Sequence, residues 1–117
     1  MPYKKILEEL LAALPGSRAA VLLDPHGELV VAAGDKDPAH LLVGAYQGIT
    51  LSRVRKISDD YPVGNITHLA FRYALGKIVS QPLKDGYFVV LSLSQDANLP
   101  LGVNLLERAA RLVNEEL

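Results

Sequence analysis

The chain of 117 residues contains no cysteine. That absence excludes disulfides, thiolate metal sites and cysteine nucleophiles together, and it is compatible with a reducing cytoplasm. An excess of charge of one sign is also lacking: 12 Lys and Arg stand against 13 Asp and Glu, interspersed, for a formal net charge of −1. No broad field exists to draw in nucleic acid or an anionic membrane surface. Long apolar runs are missing too. The longest, such as residues 19–23 and 87–91, fall far short of the roughly 20 residues that cross a bilayer. After Met1-Pro2-Tyr3-Lys4-Lys5, leucines alternate with glutamates, so no apolar export core follows the two lysines. These absences together lead to an expectation of a cytoplasmic protein with no membrane insertion.

Catalytic vocabulary is equally sparse. The histidines at 26, 40 and 68 are far apart and form neither HxH nor HxxxH, which argues against a zinc site. There is no GxxxxGK[ST] or GxGxxG loop to cradle phosphate, and no GxSxG elbow. Asp59-Asp60 is an adjacent carboxylate pair after a helix end and reads as solvated loop. Asp24 and Asp85 lie at turns, where aspartate caps its own backbone. Arg53, Arg55 and Lys56 form a basic cluster that complements a helix C-terminus, with an acidic protein partner as a second use. Interleaved aromatics are lacking, so base stacking is disfavoured. No catalytic, metal-binding or cofactor-binding residue is assigned, and the chain is expected not to be an enzyme.

What is present is apolar: half of the residues are hydrophobic, sufficient for a packed core in a single domain over residues 1–117. Ile6, Leu7, Leu10, Leu11 and Leu14 recur at helical spacing until Pro15-Gly16, predicting a helix over 3–14. Two strands follow, 19–23 and 28–33, joined by the tight Asp24-Pro25-His26-Gly27 turn as a hairpin. Asp37-Pro38 is a helix start, with aspartate as cap and proline in the first turn. This second helix should run over 38–58 until Asp59-Asp60-Tyr61-Pro62 breaks it. Strand patterns then cover 65–73, 77–83 and 86–93, with loops too short for crossover helices, hence an antiparallel meander. A last helix begins near Pro100 and carries Val103, Leu106, Ala109, Ala110 and Val113 on one side. Strands 19–23 and 87–91 have lost polar alternation and should be central and adjacent. The third strand, mixed in character and long, suits an open edge that a second copy could extend.

The second helix is apolar nearly all round. Leu42, Tyr46, Ile49 and Ile57 fall on one side, with Leu41 and Ala45 close by, and Val43, Leu51 and Val54 lie around the other. Gly44, Gly48 and Ser52 repeat at four-residue spacing, although glycine costs about 1 kcal/mol relative to alanine inside a helix. Close approach of a helix from another molecule is the expectation drawn from this stripe; close seating on the chain's own sheet is the competing one. The self-association or partner surface is accordingly placed at Leu41, Gly44, Ala45, Gly48, Leu51, Ser52 and Arg55, and at Ile66, His68, Ala70 and Arg72 of the third strand.

Four stretches then resemble the roadblock / dynein light-chain family, and specifically its stand-alone prokaryotic, MglB-like members. They are Ala20-Val-Leu-Leu-Asp-Pro-His-Gly-Glu-Leu-Val-Val-Ala32, the small-residue second helix, Pro82-Leu-Lys-Asp-Gly-Tyr-Phe-Val-Val-Leu91, and Asp96-Ala-Asn-Leu-Pro-Leu-Gly102. Pro100 and Leu101 depart from the family's Asn-Leu-Gly run. The resemblance implies an α/β fold of the α+β type with topology αββαβββα and a five-stranded antiparallel sheet in the order 2-1-5-4-3. It places the second helix on one face and the two terminal helices on the other. It implies a homodimer joined through the second helix and third strand. As function it implies a non-enzymatic regulator or scaffold of a small Ras-like GTPase that speeds hydrolysis without donating an arginine finger. The alternative is a self-associating sensor or adaptor domain that binds a small ligand or another protein.

Overall fold

The first apolar stripe forms α1 (Pro2–Ala13), which buries Leu7 and Leu10. In this computed structural model, which describes residues 2–60 and 64–117, Gly16 ends that helix in the left-handed region at φ 83°, a conformation open to glycine at little strain. The Ser17 hydroxyl then donates to the Leu11 and Leu14 carbonyls, closing the exposed helix end. Strands β1 (Ser17–Leu23) and β2 (Leu29–Gly34) follow as the expected hairpin. At its turn the Asp24 carboxylate accepts from the backbone N–H groups of His26 and Glu28 at 2.9 and 3.0 Å.

The Asp37-Pro38 start is realised in α2 (Pro38–Asp59): the Asp37 side chain accepts from the Ala39 N–H at 3.0 Å, with Pro38 in the first turn. The Tyr61-Pro62 part of the expected break lies outside the described residues. The meander consists of β3 (Leu69–Tyr73), β4 (Gly76–Pro82) and β5 (Phe88–Ser94). β3 is shorter than its sequence pattern, beginning at Leu69 rather than at 65. In the β3–β4 register Leu69 faces Ser80, so continuing the ladder would set Thr67 against Pro82, whose nitrogen has no hydrogen to donate. β5 also starts later, because Lys84–Gly86 winds into one 3₁₀ turn with Asp85 at φ 59°. The last helix, α3 (Leu99–Glu116), begins with Asn98 accepting from the Leu101 N–H. Pro100 therefore sits inside the first turn, where a proline forfeits no needed donor.

All five strands pair antiparallel in the order β2-β1-β5-β4-β3. The two strands without polar alternation, β1 and β5, are neighbours and are buried on both faces, as their composition requires. α1 and α3 cover one face, where Leu7, Leu14, Leu106 and Val113 meet Ala20, Leu22, Val79, Val89 and Leu91. On the other face α2 places Leu51 against Val21, Leu23, Phe88 and Val90. α2 rests on β1, β5 and β4. No helix among the described residues is long and apolar enough to cross a membrane.

A candidate interaction surface on α2 and β3

The inward side of α2 explains its glycines. A Cβ on Gly44 would stand 3.0 Å from Leu23 Cδ1 and from Val21 Cγ2, and one on Gly48 only 2.7 Å from Phe88 Cζ. Both glycines therefore let α2 sit close on its own sheet, and Leu51, 3% exposed, packs on the same side. The expectation that Gly44 and Gly48 face a second helix is corrected here, because the space they leave is already filled by β1 and β5 side chains. Gln47 is buried between the two glycines. The Ser80 hydroxyl of β4 donates to its Oε1 at 3.2 Å, so neither buried polar group is left without a partner.

The outward side of α2 carries Tyr46, Ile49 and Ile57, each more than half exposed. β3 adds to this apolar surface. Its residues Leu69, Phe71 and Tyr73 pair with Ser80, Ile78 and Gly76, and Leu69 and Ile78 pack into the α2-side core. Alternation therefore turns Leu69, Phe71 and Tyr73 toward the α2 face. The Phe71 and Tyr73 rings lie 6.4 Å apart, and Tyr73 and Leu75 are largely exposed. Between helix and strand is a hollow of about 300 Å³ lined by Val43, Tyr46, Gln47, Tyr73 and Ile78. Among the described residues no strand lies beside the outer edge of β3.

The residues singled out from sequence thus separate. Gly44, Gly48 and Leu51 face inward. Ala45 and Ser52 line a cleft on the flank of α2 that faces the β1–β2 turn. Arg55 and Ile66, both half-buried, line a polar hollow of about 380 Å³ with Ser58, Asp59, Asn65 and Asp85. His68 is exposed and precedes β3 instead of lying on it. Ala70 and Arg72 pair with Val79 and Lys77 and so point to the opposite face of the sheet from α2. The side chain of Leu41 lies outside the described residues. Sequence reasoning missed Phe71, Tyr73 and Leu75 as surface residues. The period-two pattern Leu69, Phe71, Tyr73 was the signal for two of them.

Titratable groups are otherwise dispersed. Asp35 Oδ2 lies 3.4 Å from His40 Nε2 beside the start of α2. The Asp37 backbone N–H and the His40 ring hold the Asp35 carboxyl below its ordinary range. Among the described residues no three His, Cys, Asp or Glu side chains gather as a metal site would need.

No family model and no curated protein matches the sequence. Solved structures do match in shape. The Roadblock/LC7 domain from Streptomyces avermitilis superposes with a TM-score of 0.84 at 16% identity, over 97% of this chain and 95% of that one. Myxococcus xanthus MglB gives 0.87 at 10% identity, over 98% and 94%. A structure described as MglB with tetrameric arrangement gives 0.87 at 16% identity, over 97% and 86%. The chain has the roadblock fold.

Proposed function

We propose that this roadblock-fold chain is a homodimeric, non-enzymatic regulator or scaffold whose partner is a small Ras-like GTPase. The observation that carries the pairing is the apolar surface that Tyr46 of α2 forms with Tyr73 and Ile78 beside the free edge of β3. Antiparallel pairing of two β3 edges would continue the sheet and satisfy its open backbone groups. The same two-fold operation would bring two α2 helices together over the junction. A structural neighbour described as tetrameric MglB is in keeping with self-association. The GTPase as partner follows from the resemblance to MglB-like proteins, and that resemblance also implies that any effect on hydrolysis works by remodelling the GTPase's own site.

The test is to combine the purified chain with the small Ras-like GTPase encoded nearest to it in the same genome and to measure binding by calorimetry and GTP turnover. A saturable complex, with or without faster turnover, is the expected result. Absence of both a complex and a rate change would remove that GTPase as the partner.

One feature favours the alternative, a sensor or adaptor domain for a small ligand. A hollow of about 300 Å³ near the start of α2 gathers Asp35, His40, Tyr73 and Ser92 over apolar Val43 and Ile78. Convergent polar groups over an apolar floor are what small-molecule sites share.

A further inference from the structure

The cleft lined by Ala45 and Ser52 lies on the flank of α2 turned away from β3. It holds about 330 Å³ and opens between α2 and the β1–β2 turn. Its floor is the ring of Phe88, reachable because Gly48 has no side chain to cover it. Its rim holds His26, Arg53 and Lys56, with exposed Ile49 beside them, and among the described residues no carboxylate lines it. Asp24, close by in the β1–β2 turn, directs its carboxylate to its own turn's N–H groups.

The charge here is local. The chain as a whole carries −1, so two cationic side chains around one cleft that no carboxylate lines do not follow from a basic composition. Among the described residues the one ion pair within 4 Å is His40–Asp35, at the other end of α2. Arg53 and Lys56 are therefore not neutralised within the described part of the chain. Lys56 stands in the last turn of α2 and complements the helix dipole there. Arg53 lies a turn earlier and His26 on a different element, so the dipole does not account for them.

We propose that this cleft receives an acidic segment of a protein partner, its carboxylate held by Arg53 and Lys56 and an adjoining aliphatic group set against Phe88 and Ile49. A guanidinium fork matches a carboxylate in shape and charge. A concave site with an aromatic floor admits a protruding side chain, whereas a bilayer surface calls for a flat or convex face. The site does not depend on the GTPase reading. It also survives self-pairing, because β3 and the hollow at Val43 and Tyr46 lie on the other flank of α2, so each copy in a dimer keeps its cleft open.

The experiment is an amide NMR titration of the chain with an acetylated, amidated pentapeptide of alternating leucine and glutamate. The lysine-for-glutamate peptide and phosphatidylserine vesicles are titrated in parallel. The glutamate peptide is expected to shift the Gly27, Gly48 and Ser52 signals saturably, and the lysine peptide to leave them in place. The double variant Arg53→Gln, Lys56→Gln, altered at exposed positions only, should bind about fivefold more weakly, the scale of two exposed charge pairs. An equal response to both peptides, a saturable response elsewhere on the surface, or none at millimolar peptide would overturn the proposal. So would vesicle binding in the absence of a peptide response.

Discussion

Gly48 and Phe88 share one space, and that space sets how closely α2 can lie on the sheet. A methyl group on Gly48 would come within 2.7 Å of the ring, and the ring is held in the β5 row between buried neighbours. Gly48→Ala should therefore lower stability by about 1–3 kcal/mol through overpacking, despite alanine's better helix propensity. Urea unfolding followed by circular dichroism measures it. A variant as stable as the parent would mean that Phe88 can turn aside freely. Alanine at the exposed, outward-facing Ile57 of α2 serves as the control. Gly44 and Gly48 thus make room for side chains of the chain's own sheet, the competing expectation for the small-residue stripe.

At the scale of elements, α2 and β3 are the two whose limits bear on function. α2 begins where Asp37 takes the Ala39 N–H, and Asp35 supports the approach by accepting from the Asp37 N–H at 3.1 Å. Asp37→Ala removes the cap and should cost about 1 kcal/mol. Because α2 contributes a smaller core than α1 and α3 together, the loss should appear first as faster hydrogen exchange in residues 39–43, before global unfolding is affected. Unchanged exchange there would show that the proline start suffices. β3 ends early for a different reason. Pro82 withholds a donor at the point where the ladder would reach Thr67, so the free edge is five residues long. A short edge is itself a guard against indiscriminate strand pairing.

At the scale of the whole molecule, the uneven coverage of the sheet is what matters. Two helices close one face, while one helix on the other leaves the α2-side row of β3 beside an apolar helix surface. If two copies meet there, Tyr73→Glu places a charge in the interface twice by symmetry. It should weaken self-association about a hundredfold. Light scattering should report twice the 12.7 kDa chain mass for the parent and the single mass for the variant, with unchanged circular dichroism. A parent that stays monomeric at high concentration, or a variant dimer as tight as the parent's, would remove this surface from consideration.

Much of the architecture can be read along the chain because it rests on local chemistry. Loss of polar alternation in residues 19–23 and 87–91 marks strands covered on both faces, and both lie in the middle of the sheet. Asp37-Pro38 and Pro15-Gly16 mark helix ends through donors and dihedral angles that the neighbouring residues themselves determine. The surfaces are a different matter. The period-two pattern sets Phe71 and Tyr73 apart from Ala70 and Arg72, but which of the two rows faces α2 depends on register with β4. What fills the gap beside Gly44 and Gly48 depends on side chains roughly 20 to 40 positions away, brought near by the order β2-β1-β5-β4-β3. Helix periodicity and caps are properties of the chain's nearest neighbours; the faces an element presents are settled by packing between residues remote in sequence.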